Sequence, residues 1–199
     1  MITAMPDCVF TIGHSSHPIQ HFLDLLQANR VETVVDTRSY PRSKFAPQYD
    51  AEALSGSLWE RGIRYMFMGK ELGGRPSGEH FYDEAGHVLY SRVAESPAFQ
   101  QGIEKLVREI SGSRLALLCS EENPSVCHRR LLIARVLHQH GIAVCHIRGE
   151  GLIEAEEHLL AQEAGKDPQL SLFENSKDPE WKSIPSVLPR KQRNSSSVF

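Results

Sequence analysis

The chain has 199 residues, of which 40% are hydrophobic and 24% are charged, and its formal net charge at pH 7 is -3. This composition predicts one folded domain of ordinary size, and the small net charge excludes binding to nucleic acid or membranes through a broad basic surface. No run reaches the roughly 20 apolar residues that cross a bilayer, and the first residues lack the pattern of a secretory signal, so we expect a cytoplasmic protein with reduced cysteines.

Short apolar runs rich in β-branched residues alternate with amphipathic runs along the chain. The predicted strands are 8–13, 31–36, 63–68, 114–119 and 142–147. The predicted helices are 19–29, 50–61, 97–112, 124–140 and 151–165. This alternation predicts a single α/β domain with a mostly parallel, open sheet of about five strands covered by helices, layered as in flavodoxin-like and rhodanese-like proteins.

The composition changes near residue 165. Residues 1–164 are net acidic, whereas 165–199 are net basic, contain several prolines and end in a serine-rich run. The second stretch shows no sustained helix or strand period. We therefore predict an α/β domain over 1–164 and a flexible tail over 165–199.

Reactive and charged residues follow the predicted strands, where open parallel sheets bind their ligands. Acid, imidazole and thiol groups suit acid–base or nucleophilic chemistry, and the candidate catalytic residues are His14, Cys119, Glu121 and His128. Guanidinium groups and turn residues suit an anion, and the candidate anion- or substrate-binding residues are Ser15, Asp36, Arg38, Arg42, Arg75, Arg129 and Arg130.

Two of these roles have a structural alternative. Glu121 is either a general acid or base or the partner of Arg129 in an ion pair. Asp36 is expected to orient Arg38 rather than to perform chemistry. The sequence does not decide whether the protein is an enzyme.

The four cysteines do not form a recognisable metal motif. Cys8 and Cys145 lie inside predicted strands, and Cys127 lies on an apolar helical stripe, so all three are expected to be buried thiols. Cys119, Cys127 and His128, with His14, offer soft metal ligands, but the C-x7-C-H spacing from Cys119 to His128 matches no compact zinc motif. The sequence therefore assigns no metal site and leaves the cofactor open.

Two long connections, 37–49 and 69–96, exceed the usual loop length and are expected to be functional. In the first, Arg38, Arg42 and Lys44 interleave with Tyr40, Phe45 and Tyr49. Basic residues follow phosphates and aromatic rings stack on bases, so this pattern predicts an enzyme acting on single-stranded nucleic acid or a nucleotide. The alternative is a non-catalytic adaptor module that binds an anion or a metal.

Five segments carry a resemblance to a known family: TIGHSSHPIQHFLDLL, VVDTRSYPRSKFAPQY, GIRYMFMGKELGGRP, ALLCSEENPSVCHRRLLIARVL and HIRGEG. Over nearly all of residues 8–151 the chain resembles the bacterial family known as Domain of Unknown Function 488. The resemblance implies a compact α/β domain but no established activity. The positions that it implies to be characteristic are His14-Ser15, Asp36, Arg38, Gly73-Gly74-Arg75, Cys119, Glu121 and Cys127-His128-Arg129.

A looser similarity is to rhodanese-like domains, which also place an Asp-x-Arg after one strand and a cysteine after another. Cys119 is followed here by SEENP, whose two carboxylates would raise the pKa of a nearby thiol and repel an anion. Sulfur transfer by Cys119 is therefore the less favoured function.

The tail contains a peptide that resembles the motif by which bacterial replication and repair proteins bind the DNA sliding clamp. Its residues are Gln169, Leu170, Ser171, Leu172 and Phe173. Two large apolar side chains in a polar tail suit an apolar groove on a partner. We therefore predict docking on the clamp in a DNA-maintenance context, and folding back of this peptide onto the domain is the alternative.

Overall fold

One six-stranded sheet organises the molecule. The computed structural model describes residues 8–166, 181–185 and 187. The strands are β1 (Val9–Gly13), β2 (Thr33–Asp36), β3 (Arg64–Phe67), β4 (Leu115–Cys119), β5 (Val144–Ile147) and β6 (Ile153–Ala155). Their order is β3-β2-β4-β1-β5-β6, in which the first five strands are parallel and β6 is antiparallel to β5. The predicted α/β class with a mostly parallel sheet is confirmed.

Helices cover both faces of this sheet. They are α1 (Ile19–Ala28), α2 (Ala51–Trp59), α3 (Gly69–Leu72), α4 (Tyr90–Glu95), α5 (Pro97–Ile110), α6 (Arg135–Gln139) and α7 (Glu156–Lys166). Successive strand residues point to opposite faces, so Phe10 and Leu118 join a core beneath α1 and α2, whereas Leu115 and Leu117 join a second core beneath α5 and α6.

Two predicted helices are shorter than expected. The prediction of one helix over 124–140 is wrong, because Cys127 has extended backbone (φ -113°, ψ 141°) between a 3-10 turn at Pro124–Val126 and a π-helical segment at Arg129–Ala134. The prediction over 151–165 is wrong at its start, where a turn at Gly151 (φ +88°) returns the chain to the edge of β5 as β6.

The second long connection is covered by residues from the predicted tail. The backbone N–H of Tyr90 donates to the carbonyl of Trp181 at 2.8 Å, and the backbone N–H of Ser183 donates to the carbonyl of Val88 at 2.8 Å. The clamp-like peptide at 169–173 lies outside the described residues. Within the described ranges, no helix is long and apolar enough to cross a membrane.

Candidate functional site

A pocket of about 500 Å³ opens at the carboxyl ends of β2 and β4, which is the edge that the sequence predicts. Its floor is formed by Cys119, Glu121, Cys127 and His128, and its wall includes Arg38, Arg42 and Arg75. The fold therefore brings three of the four candidate catalytic residues and three of the candidate arginines to one cavity.

The floor is a compact cluster of sulfur, nitrogen and oxygen atoms. The thiols of Cys119 and Cys127 donate to the same carboxylate oxygen, Glu121 Oε2, at 2.9 and 3.3 Å. His128 Nε2 lies 3.2 Å from Cys119 Sγ. The two cysteines and His128 are buried, whereas Glu121 is exposed to the pocket.

Protonation in the floor follows from this geometry. Burial acts to raise the pKa of Glu121, but hydrogen bonds from Cys119, from its own backbone N–H and from Cys127 outweigh burial and lower it. Burial raises the pKa of the Cys127 thiol well above its usual range. Without a metal ion, Glu121 is therefore an ionised acceptor and Cys127 is a protonated donor.

Arg129 holds the loop that carries Glu121. Its buried guanidinium donates to the carbonyl oxygens of Glu121 and Glu122 and to Thr11 Oγ1, the last at 3.2 Å. A side chain at Gly13 would collide with the same Glu121 carbonyl, so the strand needs glycine there. Arg129 thus contacts Glu121 through the backbone carbonyl, and anion binding by Arg129 stays a prediction.

Arg130, like Arg129, does not line the pocket. It pairs with buried Glu156 at 3.0 Å and with Glu163 at 2.7 Å. Glu156 in turn lies 2.7 Å from His146 Nε2. The Arg130 guanidinium is thus directed toward α7, and anion binding by Arg130 stays a prediction.

Arg38 is fixed at the pocket by buried partners. Asp36 accepts from Arg38 Nε at 2.9 Å and Nη2 at 2.6 Å, and also from Tyr65 Oη at 2.8 Å. His14 Nε2 lies 3.2 Å from Arg38 Nη1, while His14 Nδ1 donates to the Ser15 carbonyl at 2.7 Å. Asp36 thus orients Arg38, as the sequence suggests.

His14 and Ser15 do not line the pocket. Burial, followed by the nearby charge of Arg38, lowers the pKa of His14 to about 4, although its hydrogen bond to Ser15 opposes this shift. The imidazole of His14 is therefore neutral. One of its nitrogens contacts the Ser15 carbonyl, and the other contacts the Arg38 guanidinium. The catalytic role of His14 and the binding role of Ser15 stay predictions.

The lowered pKa of His14 predicts a loss of stability in acid. Because the ordinary value is near 6.5, the unfolded chain binds a proton between pH 6.5 and 4 that the folded protein does not, and stability falls as the pH falls through this window. We expect His14 to contribute about 3 kcal/mol of this loss at its completion. Urea unfolding at a series of pH values should show a shallower pH dependence for His14→Gln.

The matched control for this measurement is His140→Gln, which replaces an exposed histidine at the end of α6. Its pH dependence of unfolding should match that of the original protein. If His14→Gln also matched the original protein, the neutral, buried state assigned to His14 would be wrong.

The upper wall contains residues that the sequence analysis did not single out. Tyr90 and Ser183 line the pocket. A Cβ atom at Gly74 would lie 2.7 Å from the His128 ring, so the glycine-rich connection can pack closely on the floor. The length and glycine content of 69–96 pointed to that connection, but no sequence signal links Ser183 to the floor residues, which lie far earlier in the chain.

The fold also gathers a set of metal-ligating atoms that the C-x7-C-H spacing does not predict. One ligand atom each from Cys119, Cys127 and His128 lies within 4.8 Å of the others. The extended backbone at Cys127 and the change to a π-helical segment after His128 set this arrangement. These features cannot be read from residue spacing.

Comparison with known proteins agrees with this description of the chain. A family model described as "Domain of unknown function DUF488" matches residues 18–136. Searches of curated proteins and of solved structures found no significant match. The matched range includes β2 to β4, the floor of the pocket and its wall of arginines, and on this evidence the chain belongs to the DUF488 family.

Proposed function

We propose that this protein binds a nucleotide, or one nucleotide unit of a single-stranded nucleic acid, in the pocket and acts on it with the ionised Glu121 carboxylate as general base. The observation that carries the proposal is that one cavity combines an acidic, thiol- and imidazole-lined floor with a wall of arginines. Its volume of about 500 Å³ lies within the range of small-molecule sites.

The arginines provide a site for phosphate. Asp36 and His14 hold Arg38 in a fixed orientation, while Arg42 and Arg75 are exposed at the opening. Guanidinium groups bind phosphate oxygens in a bidentate geometry. A phosphate at this wall would place the rest of a nucleotide over the floor.

Exposed aromatic rings near the wall suit bases. Tyr40 is 71% exposed and Phe45 is 98% exposed, and both belong to the connection that carries Arg42 and Lys44. Such rings expose apolar area to water in the free protein, and base stacking would cover it. This local combination permits binding to a single strand despite a net charge of -3.

Sulfur transfer fits the floor less well. The Cys119 thiol donates to Glu121 at 2.9 Å, so an ionised carboxylate faces the sulfur that would have to become a thiolate nucleophile. A second carboxylate, Glu122, follows it, although Arg148 pairs with that group at 2.9 Å. The ionised Glu121 carboxylate therefore opposes an anionic sulfur donor at Cys119.

The double variant Arg42→Ala/Arg75→Ala is expected to weaken binding of a fluorescein-labelled single-stranded oligonucleotide. Loss of two phosphate contacts should reduce the slope of log affinity against log salt by about 1.4 for a single strand. Fluorescence anisotropy at several salt concentrations measures both effects. Arg108→Ala, which removes an exposed arginine from α5 outside the pocket, is the control and should leave the slope unchanged.

Absence of salt-dependent binding by the original protein would contradict the proposal. The conservative variant Glu121→Gln distinguishes an enzyme from the alternative, a non-catalytic adaptor. We expect Glu121→Gln to bind the oligonucleotide while losing any conversion that mass spectrometry detects with the original protein. Unchanged oligonucleotides and nucleotides after incubation with the original protein would favour the adaptor.

We also propose that the protein docks on the bacterial DNA sliding clamp through residues 169–173, which would place it at replicating or damaged DNA. The support is the sequence QLSLF and its resemblance to clamp-binding peptides. Leu172 and Phe173 would enter an apolar groove, and Gln169 would supply directional hydrogen bonds. The docking would bring a protein without a broad basic surface close to DNA.

Calorimetric titration of the bacterial clamp tests this partner. The full-length protein should bind, and Leu172→Ala/Phe173→Ala should weaken binding by about 100-fold or more, since truncated anchor residues each cost about 2 kcal/mol or more. Ser171→Ala within the same peptide should have a small effect. Equal binding by the original protein and the double variant, or no binding by either, would contradict the proposal.

A further inference from the structure

We propose that Cys119, Cys127 and His128 bind one Zn²⁺ ion at the floor of the pocket, with the Glu121 carboxylate at the fourth position. The inference goes beyond the proposed nucleotide binding and does not depend on it, because metal binding is measured without any nucleotide. In the zinc-bound protein Glu121 is a ligand and not the general base. The inference rests on the geometry of the floor, on the direction of His128 Nε2 and on the way the surrounding chain fixes the ligands.

The distances in the floor are close to those of a tetrahedral site. Zinc bonds of about 2.3 Å to sulfur and about 2.0 Å to nitrogen or oxygen separate neighbouring ligand atoms by about 3.5–3.8 Å. Here Cys119 Sγ lies 3.2 Å from His128 Nε2 and 2.9 Å from Glu121 Oε2, and Cys127 Sγ lies 3.3 Å from the same oxygen. A modest outward movement of the side chains would admit the ion.

His128 differs from the other buried histidines of the described residues. Both ring nitrogens of His14 and of His146 lie within hydrogen-bond distance of protein groups. His128 is 8% exposed, its Nδ1 has no hydrogen-bond partner, and its Nε2 faces the Cys119 sulfur. The nitrogen that faces the floor is therefore Nε2, which lies beside the Cys119 sulfur where a metal-binding imidazole nitrogen would lie.

The backbone presents these ligands from rigid elements. Cys119 is the last residue of β4, and Cys127 and His128 directly precede the π-helical segment. Arg129 ties the intervening loop to the sheet through the Glu121 carbonyl and Thr11. Single π-helical insertions are frequent at functional sites, and this one starts directly after His128.

The donor set favours zinc. Two thiolates, one imidazole and one carboxylate suit Zn²⁺, which prefers four-coordinate sites with sulfur and nitrogen ligands. When zinc binds, each thiol releases its proton to solvent and forms one sulfur–zinc bond. The oxidation states of sulfur and zinc do not change. Glu121 is exposed to the pocket. Of the four zinc ligands, it is therefore the one that a molecule bound in the pocket would contact.

The first measurement uses the full-length protein purified without chelators. We expect about one equivalent of zinc by elemental analysis, as one site requires. Replacement by Co²⁺ should give the visible absorption of a tetrahedral ion and a near-ultraviolet thiolate-to-cobalt band, both lost on adding Zn²⁺. A protein that holds no zinc and gives no such spectrum with added Co²⁺ would overturn the inference.

Variants then identify the ligands. Cys119→Ala, Cys127→Ala and His128→Ala should each lower zinc affinity by about 100-fold or more in competition with a chelator, exceeding the effect of residues that only support a ligand. The controls are Cys8→Ala and Cys145→Ala, because these buried cysteines form the other neighbouring thiol pair and lie in a hydrophobic core away from the pocket. Zinc affinity equally reduced in the controls would overturn the assignment.

Circular dichroism confirms that each variant is folded before its affinity is compared. Where a ligand variant does not fold, the cobalt spectrum of the original protein still decides whether sulfur binds the ion. Oligonucleotide anisotropy is measured in parallel, with and without zinc. If the protein bound the oligonucleotide but no metal, only this inference would be overturned. If it bound the metal but no oligonucleotide, only the proposed function would be overturned.

Discussion

Replacing Asp36 with alanine is expected to destabilise the fold by about 3–5 kcal/mol, because it leaves the Arg38 guanidinium buried without its counter-charge. Asp36 is fully buried and Arg38 is 5% exposed. The carboxylate accepts from Arg38 and also from Tyr65 at 2.8 Å, so the substitution removes several hydrogen bonds together. Urea unfolding monitored by circular dichroism measures the change in the free energy of unfolding.

A double-mutant cycle shows whether the cost belongs to the pair. Arg38→Met should also be strongly destabilising, since it leaves a buried carboxylate, but Asp36→Ala/Arg38→Met should cost clearly less than the sum of the single variants. The matched control is Asp24→Ala, whose carboxylate is mostly exposed and lies 3.4 Å from Arg61. It should change stability by less than about 1 kcal/mol. Additive effects of Asp36 and Arg38 would contradict the buried-pair interpretation.

The layers of the fold were predictable because strands buried in a parallel sheet consist largely of apolar and β-branched residues. Residues 114–119 are apolar at nearly every position, as central parallel strands are, and residues 31–36 are rich in β-branched side chains. The position of the site followed from the same reasoning, since the carboxyl ends of parallel strands meet at one edge. Cys119, Glu121 and His128 were therefore found from sequence as members of one candidate site.

The roles of the buried charged residues were not predictable in the same way. Arg129 and Arg130 are neighbours, yet one guanidinium faces the loop carbonyls and the other faces α7. These directions depend on the π-helical segment, which sequence periodicity did not predict. The closeness of Cys127 to Glu121 has the same origin, because a continuous helix from Pro124 would have had no extended residue at position 127.

The edge strand β6 was missed for a related reason. Its residues, Ile153–Ala155, are followed without a break by α7, so the sequence presents one amphipathic run. The turn at Gly151, whose N–H donates to the Arg148 carbonyl at 2.9 Å, reverses the chain before this run. Pairing with β5 then gives the backbone N–H and C=O groups of β6 hydrogen-bond partners across the sheet, whereas a helix would pair such groups within the same segment.

Arg129→Met is expected to destabilise the protein by about 3–5 kcal/mol and to weaken zinc binding, although Arg129 does not line the pocket. The buried guanidinium serves two loop carbonyls and Thr11 at once. Each acceptor left without a donor costs about 1–3 kcal/mol where water cannot replace it. Freed from this contact, the loop would no longer hold Glu121 against the two sulfur atoms.

The comparison of Arg129→Lys with Arg129→Met separates charge from geometry. Lysine keeps the positive charge but lacks the planar fork that reaches two carbonyls together, so Arg129→Lys should recover only part of the lost stability and zinc affinity. Arg135→Met is the control on the adjoining helix, where the exposed guanidinium lies 4.5 Å from the centre of the Trp181 ring. That contact contributes about 0.5–1 kcal/mol at an exposed site. Equal urea midpoints for Arg129→Met and Arg135→Met would show that Arg129 does not hold the loop, and full recovery in Arg129→Lys would show that its charge alone matters.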